Sequence, residues 1–233
     1  MRGGSSNGWP AWRMNTLPGV GNDVVDLKDP ENIGKSRDDR FLGRVFMVSE
    51  RERIARAPFP DTLLWSLWAA KEAAYKAVSC ADPAVCSIPR RYRVVLDAEE
   101  ATRRIGRRTG RVITPRGELF LEVAVSEEWV HALAAGTEEA LQRLCRRVKR
   151  LEGGKGAVNP SAFVRGALLR EIARRLDCSV GDLSVIKKPD GLGAPRVLFR
   201  GELLAAEVSL SHDGRFAAFA FDPITLIPAV KAG

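Results

Sequence analysis

Two acidic residues stand among apolar neighbours, and their placement points to chemistry. Glu72 lies in the middle of an apolar helical stripe that includes Trp65 and Trp68. Asp23 shares one face of a predicted strand with Val25. Because an unpaired carboxylate is costly to bury, each acid must meet a cation, a strong donor or a water-filled cleft. Both are therefore candidates for a binding or catalytic site.

Each acid also has a purely structural interpretation. Glu72 could pair with Lys76 one helical turn later, but an exposed pair of this kind contributes only about 0.2–0.5 kcal/mol and does not offset burial. For Asp23 taken alone, a solvated aspartate at a sheet edge is the commoner explanation. The residues considered singly leave both interpretations open.

Considered together, the two acids suit one metal ion. A carboxylate from a strand and another from a helix form an incomplete cage, which fits Mg²⁺ because this ion keeps several waters and adds substrate phosphate oxygens. Lys71 and Lys76 flank Glu72, and their ammonium groups would neutralise charge during phosphoryl transfer. The combination predicts magnesium and a phosphate-bearing substrate.

A second candidate site lies at Ser211-His212-Asp213-Gly214. In a hairpin turn, Ser211, His212 and the backbone amides would offer several donors in a small space, which is an arrangement that binds anions. A lone loop histidine is more often simply solvated, and that alternative stays open. Consecutive Ser, His and Asp residues cannot adopt the geometry of a hydrolase triad.

The elements that must position these residues fall into two halves, of which the first spans residues 18–135. It carries Asp23 on an alternating strand and Glu72 on a long helix. The expected strands are 21–27, 92–96, 111–114 and 118–125, and the expected helices are a short one opened by a capping box at Ser49-x-x-Glu52 and a long one at 63–78.

The second half spans residues 158–226. Asn159-Pro160 places a capping residue before a proline, which predicts a helix through Asp177. Strands are expected at 196–199, 206–210 and 215–221, the last two forming a hairpin. The remaining predictions are a disordered leader at residues 1–17, a basic helical linker at residues 136–157 and a tail at residues 227–233.

Composition narrows the class of protein. The 233 residues carry 37 basic and 29 acidic side chains, a formal charge of +8, and 45% hydrophobic content, which excludes a disordered or collagen-like chain. The chain lacks a long apolar run and paired C-x-x-C spacing, so we expect no membrane span, no zinc site and a cytoplasmic location. The positive charge favours an acidic partner, which could be nucleic acid, a polyphosphate ligand or an acidic protein.

The motifs resemble the 4′-phosphopantetheinyl transferase superfamily. Gly21-Asn-Asp-Val-Val-Asp-Leu27 is similar to its Gly-x-Asp strand, and Trp68-Ala-Ala-Lys-Glu-Ala-Ala-Tyr-Lys-Ala77 is similar to its Lys-Glu-Ala helix. Phe41-Leu-Gly-Arg-Val-Phe46 resembles the small carrier-protein synthases. Residues 163–169, 193–196 and 208–216 resemble the larger, surfactin-type members, in which the two halves occur in the opposite order.

The resemblance implies an α+β fold and a permuted pseudo-dimer of two similar halves. Each half would be a small antiparallel sheet of three strands packed on a long helix, with the active site between the halves. The chain end near Phe221 would then lie close to the start near Val20. Because both halves are present in one chain, a monomer is expected.

The resemblance also implies roles for individual residues. Asp23 and Glu72 would bind Mg²⁺ together with the pyrophosphate of coenzyme A, and Lys76 would contact phosphate with help from Lys71. The group expected to hold the 3′-phosphate and adenosine comprises Arg165, Ser211 and His212. The reaction implied is transfer of 4′-phosphopantetheine from coenzyme A to a serine of an acidic acyl or peptidyl carrier protein, with release of 3′,5′-ADP. No nucleic acid or membrane partner is expected.

Several positions depart from the family pattern. A glycine-rich loop is replaced by Ser79-Cys-Ala-Asp-Pro83, and a Gly-Lys-Pro motif becomes Gly193-Ala-Pro195. Val25 stands where larger members have a third acidic ligand, which leaves Asp26 as the substitute, and Asp213 adds negative charge near the expected phosphate site. Two other functions therefore stay open: a magnesium-dependent phosphohydrolase of nucleotide anhydrides, and a non-catalytic module that binds a carrier protein or nucleic acid.

Overall fold

The computed structural model describes residues 19–82, 84–97, 104–153, 158–186 and 194–226. The α-helices in these ranges are α1 (Asp39–Val45), α2 (Val48–Arg56), α3 (Pro60–Ala81), α4 (Glu138–Arg143) and α5 (Pro160–Leu176). The strands are β1 (Val20–Asp26), β2 (Arg93–Leu96), β3 (Gly106–Thr114), β4 (Gly117–Val125), β5 (Trp129–Ala135), β6 (Cys145–Arg150), β7 (Leu183–Ile186), β8 (Arg196–Phe199), β9 (Glu202–Leu203), β10 (Val208–Asp213) and β11 (Phe216–Phe221). The predicted leader, the predicted tail, Pro83 and Gly193 lie outside the described residues.

The larger sheet has the strand order β1-β5-β4-β3-β2, and all its neighbouring strands are antiparallel. Helix α3 packs across β1 and β5. Its close approach depends on Gly21, since a Cβ added there would lie 1.8 Å from the carbonyl oxygen of Ala73. Any other residue at position 21 would push α3 away from β1.

The second sheet has the order β10-β11-β6, and α5 packs against β10 and β11. Asn159 caps α5, because its side chain accepts a hydrogen bond from the amide of Ala162 at 3.1 Å. Pro160 follows at the first helical position, as predicted. A third, small sheet has the order β7-β8-β9.

The two larger sheets meet where β1 lies beside β10. The amide of Asn22 donates to Ser209 Oγ at 2.9 Å, and the amide of Asp26 donates to Asp213 Oδ2 at 2.8 Å. The two strands run in the same direction, since both bonds join residues at the same offset along the chain. Val20 and Ala220 share a buried cluster, so the ends of the two halves meet as expected.

The mixed architecture with antiparallel sheets confirms the α+β prediction. The first sheet has five strands instead of the three expected for each half. One reason is β5, which the sequence did not reveal. It is a central strand buried on both faces, so it lacks the alternation of a half-exposed strand. The pseudo-dimer with permuted halves stays a prediction.

The predicted basic helical linker at residues 136–157 is wrong in its second part. Helix α4 ends at Arg143, and the basic run that follows is strand β6, which pairs with β11 along its whole length. Helix-favouring side chains misled the prediction because a strand partner supplied by distant residues outweighs local propensity. Arginine and lysine suit β6 because it forms an edge of its sheet.

Two smaller predictions also need correction. The capping box of α2 uses Glu50, whose carboxylate accepts a hydrogen bond from the amide of Met47 at 3.0 Å, not Ser49 and Glu52. The hairpin turn is shorter than expected, because β10 continues through Asp213. None of the described helices has the length and apolar character needed to cross a membrane.

Candidate active site

A cavity of about 320 Å³ opens where β1, α3 and β10 meet. Its lining residues are Asp23, Val24, Val25, Asn32, Phe41, Trp65, Trp68, Glu72, His212 and Asp213. The structure thus brings the two acids singled out in the sequence, Asp23 and Glu72, to one cavity. It adds His212 from the other end of the chain, as expected.

Asp23 and Lys76 form the ion pair at the edge of this cavity. Lys76 Nζ lies 2.7 Å from Asp23 Oδ1 and also donates to the backbone oxygen of Asn22 at 3.0 Å. Burial raises the pKa of Asp23, and the neighbouring Lys76 opposes this shift. Because α3 approaches β1 closely at Gly21, the lysine of the helix can reach both groups of the strand.

Glu72 projects from the same helix, one turn before Lys76. Burial, and next the negative charge of Asp23, raise the pKa of Glu72 to about 7, and Lys76 acts against the shift. One lysine therefore stands beside two carboxylates that repel each other. A cation bound between them would relieve this repulsion.

The second sheet contributes His212 and Asp213 to the cavity. Asp213 Oδ2 accepts hydrogen bonds from the amide of Asp26 and from Asn32 Nδ2, both at 2.8 Å. Burial raises the pKa of Asp213 despite these bonds. The exposed His212 acts to lower the pKa of Asp23, so its ring lies within electrostatic reach of that acid.

An aromatic wall closes one side of the cavity. Phe41, Trp65 and Trp68 contact one another, with ring centroids 5.8–6.4 Å apart. Trp65 Nε1 donates to the backbone oxygen of Asn32 at 2.9 Å, which fixes the orientation of the indole. Such a wall can contact the apolar part of a ligand and exclude water from the charged side.

Lys71 does not reach this cavity, which corrects its predicted role. Its side chain is fully buried, and Nζ donates to Glu50 and to the backbone oxygens of Pro89 and Tyr92. Burial lowers the pKa of Lys71, and Glu50 opposes the shift. All three ammonium hydrogens are used, so Lys71 joins α2 and the segment before β2 to α3.

Ser211 and Arg165 are also absent from the cavity wall. Ser211 lies on strand β10, not in a turn, and its hydroxyl donates to Asn22 Oδ1 at 2.6 Å. Arg165 lies on α5, where its Nε is buried without a hydrogen-bond partner among the described residues. Of the three residues expected to hold the nucleotide end of the ligand, only His212 lines the cavity.

The donor set is compatible with Mg²⁺ but small. In the part of the chain that the structure describes, no group of three or more His, Cys, Asp or Glu residues could hold a metal ion. Asp26 cannot act as the third ligand, since Arg215 and the amide of Lys28 occupy its carboxylate. Asp23 and Glu72 remain, and their mutual repulsion favours a cation that completes its shell with water and phosphate oxygens.

The sequence did not mark Asn22 or Asn32 as important. Asn22 is buried at the junction of the sheets, and Asn32 holds both Asp213 and the backbone oxygen of Asp26. An asparagine on the strand face that it shares with Val24 is the signal that could have identified Asn22, because a buried amide needs partners. Nothing near Asn32 in the sequence predicts its contact with Asp213.

Comparisons with known proteins identify the family that the first half of the chain matches. Residues 19–134, which include Asp23, Glu72 and Lys76, match the family described as "4′-phosphopantetheinyl transferase superfamily". A holo-[acyl-carrier-protein] synthase of Nitrobacter hamburgensis is 27% identical over 129 residues, which is 50% of this chain and 89% of that protein. A protein of the same name from Jannaschia sp. is 38% identical over 60 residues, which is 26% of this chain and 40% of that protein.

Proposed function

Because the chain belongs to the 4′-phosphopantetheinyl transferase superfamily, we propose that it transfers 4′-phosphopantetheine from coenzyme A to a serine of an acyl or peptidyl carrier protein. The observation that carries the proposal is the meeting of Asp23, Glu72 and His212 in one cavity. These residues come from three elements, and His212 lies outside the matched residues. The names of the two relatives agree with a carrier-protein substrate.

The two carboxylates of the cavity suit a Mg²⁺ ion that also binds the pyrophosphate of coenzyme A. When bound, the ion would supply positive charge to the phosphate oxygens. Asp23 and Glu72 would hold it, and the raised pKa of both carboxyls reflects the burial that a cation offsets. Lys76 Nζ lies beside Asp23, and its ammonium would contact a phosphate oxygen.

The reaction needs a group that accepts the proton of the carrier serine. The carboxylate of Glu72, or a water molecule held at the site, would accept this proton. The serine oxygen would form a bond to the β-phosphorus, and the bond from that phosphorus to the bridging oxygen would break. 3′,5′-ADP would leave with the bridging oxygen, and His212 would contact its 3′-phosphate.

The carrier protein would be acidic. The net charge of +8 favours encounter with a negatively charged partner, and such charge affects the association rate more than the final affinity. The aromatic wall of Phe41, Trp65 and Trp68 offers an apolar surface beside the reacting groups. Fatty-acid, polyketide and nonribosomal peptide synthesis all use carriers of this kind, and a monomer would suffice for the reaction.

The test is a mass-spectrometric assay with a panel of apo carrier proteins, coenzyme A and Mg²⁺. We expect a carrier to gain one phosphopantetheine group while 3′,5′-ADP is released. The variants Asp23→Asn and Glu72→Gln should each lower transfer by about 10²–10³-fold, because each weakens binding of the ion that would supply positive charge to the transferring phosphate. Glu139→Gln, an exposed carboxylate on α4, is the matched control and should keep full activity.

The same assay separates the alternatives. Release of 3′,5′-ADP without any carrier would indicate a phosphohydrolase. Carrier binding that persists in chelator, with no product in any condition, would indicate a non-catalytic module. Near-normal transfer by both Asp23→Asn and Glu72→Gln would contradict the proposed site.

A further inference from the structure

Asn22 stands at the junction of three elements. Its side-chain Oδ1 accepts the hydroxyl of Ser211 at 2.6 Å and lies 3.3 Å from His131 Nε2. Its backbone amide donates to Ser209 Oγ, and its backbone oxygen accepts from Lys76 Nζ. One residue of β1 thus contacts β10, β5 and α3.

The contacts of Asn22 join the two sides of the cavity. On one side, Lys76 bridges the backbone oxygen of Asn22 and the carboxylate of Asp23, the next residue. On the other side, Ser211 directly precedes His212, which lines the cavity from β10. The amide side chain of Asn22 therefore lies between the Asp23–Lys76 pair and the strand that carries His212.

The junction between β1 and β10 is buried but polar, although apolar side chains there would leave no hydrogen-bonding group to satisfy. Asn22 is fully buried, Ser209 and Ser211 are nearly so, and Asn22 Nδ2 has no hydrogen-bond partner among the described residues. Burying an unpaired donor costs free energy. Directional bonds, however, fix the relative position of two strands in a way that apolar contacts do not.

We propose that Asn22 is a positioning residue, which sets the place of His212 relative to the Asp23–Lys76 pair through its hydrogen bond with Ser211. The proposal rests on the proposed function, because the ligand that spans both sides of the cavity is taken to be coenzyme A. Ser211 then acts through Asn22 and not as a ligand of the 3′-phosphate. Loss of the Asn22–Ser211 hydrogen bond lets β10 shift and weakens the binding of coenzyme A, while the groups at the reacting phosphate stay in place.

The experiment measures steady-state transfer and, separately, calorimetric titration of coenzyme A without a carrier. For Asn22→Ala we expect the KM and Kd for coenzyme A to rise about tenfold, with kcat within about threefold of wild type and the KM for the carrier unchanged. Ser211→Ala should show the same pattern. The double variant should be no worse than either single one, because both substitutions remove the same bond.

A merely structural role gives a different result. It would lower kcat with the folded fraction and leave KM unchanged, which is the pattern we expect for the control Ser66→Ala, a buried hydroxyl of α3 bonded to Thr62 and Arg108. An unchanged Kd in Asn22→Ala would overturn the proposal. So would losses in Asn22→Ala and Ser211→Ala that multiply in the double variant, since Ser211 would then contact the ligand directly.

A third measurement covers the case in which Asn22→Ala does not fold. Ser211→Ala removes a single oxygen, and amide hydrogen exchange of residues 21–25 without ligand should speed up in this variant. Unchanged exchange at these residues would contradict a tie between β10 and β1. If wild type binds coenzyme A but modifies no carrier, the proposed function fails, and the titrations still decide the role of Asn22.

Discussion

Two lysines of helix α3 each form an ion pair with a carboxylate of another element. The two pairs have similar distances but differ in their exposure to solvent. Lys71 and Glu50 lie 2.9 Å apart with side chains 0% and 3% exposed, whereas Lys76 and Asp23 lie 2.7 Å apart with side chains 29% and 13% exposed. The Lys71–Glu50 pair is closed to ligands, because it is buried and Lys71 also donates to two backbone oxygens. In the second pair, Asp23 lines a cavity together with another carboxylate, Glu72, although Lys76 itself is not a lining residue.

Helical geometry separates the two lysines. Lys76 follows Glu72 by four residues, an angle of about 40° around the helix, while Lys71 precedes it by one residue, about 100° away. Lys76 therefore shares the cavity face with Glu72, and Lys71 points toward α2. A buried pair whose bonds are all satisfied supports the fold, whereas an accessible pair with an excess of negative charge can receive a cation.

The largest effect should come from breaking the buried pair. Lys71→Met leaves the carboxylate of Glu50 buried without its cation, and we expect the free energy of unfolding to fall by about 3–5 kcal/mol. Urea denaturation measures this loss. The double variant Glu50→Leu/Lys71→Met should recover much of it, because no unpaired charge then remains.

Lys76→Met is the matched control on the same helix. Its partly exposed ion pair contributes at most about 1 kcal/mol to stability, but transfer should fall by about 10–100-fold because the proposed phosphate contact would be lost. Similar stability losses in Lys71→Met and Lys76→Met would show that the two pairs are not different in kind.

The next effect is on the pH dependence of stability. It distinguishes the two ion pairs because the Lys76–Asp23 pair has a neighbouring carboxyl, Glu72, that titrates near neutrality. Folding raises the pKa of Glu72 from 4.5 to about 7, so the folded state keeps a proton that the unfolded state releases. Without divalent metal, the contribution of Glu72 to stability should therefore be largest below about pH 4.5 and fall by on the order of 3 kcal/mol as the pH rises through 7.

The control for this prediction is Glu72→Gln, since the difference between the two unfolding curves isolates Glu72. His131 contributes with the opposite sign, because burial, together with Arg146 and Lys76, lowers the pKa of its ring to about 3. That contribution is lost as the pH falls from 6.5 and is common to both proteins. A difference between wild type and Glu72→Gln that does not change between pH 5 and 7 would contradict the raised pKa.

The smallest effect should come from the far side of the cavity. His212→Ala should weaken coenzyme A binding by about tenfold in a calorimetric titration, because it would remove the proposed contact with the 3′-phosphate. Binding of 3′-dephospho-coenzyme A should change little. Equal losses for the two ligands would assign His212 another role and would restrict the phosphate site to Lys76 and its neighbours.

Elements with strong local signals could be predicted from the sequence. Strand β1 alternates, α3 has a long apolar stripe, and α5 begins with Asn159-Pro160; all three occur where expected, with ends shifted by a few residues at most. Strand β5 and strand β6 could not be predicted. Each owes its conformation to pairing with strands far away in the sequence, which outweighs local propensity.

The candidate site also includes some residues that the sequence identified correctly, while others were assigned to it wrongly. The burial cost of a carboxylate identified Asp23 and Glu72, and both lie in the cavity. Lys71 was assigned to the site because it is adjacent to Glu72 in sequence, but its position on the helix directs it to Glu50. Ser211 was assigned to a turn because polar residues interrupt two apolar runs, but the turn begins only at Gly214.

The sequence by itself determined the chemistry available to this protein: a net positive charge, two acids in apolar elements and the helix that carries Glu72 and Lys76. Local residue patterns suffice for this, since charge, periodicity and capping act within a few residues. Only the tertiary structure decided that Lys76, and not Lys71, pairs with a carboxylate at the cavity. It also decided that Asn22 joins β10 to the Asp23–Lys76 pair. These contacts link residues up to 189 positions apart, and the contact of Lys76 with β1 depends on how closely Gly21 lets α3 approach that strand.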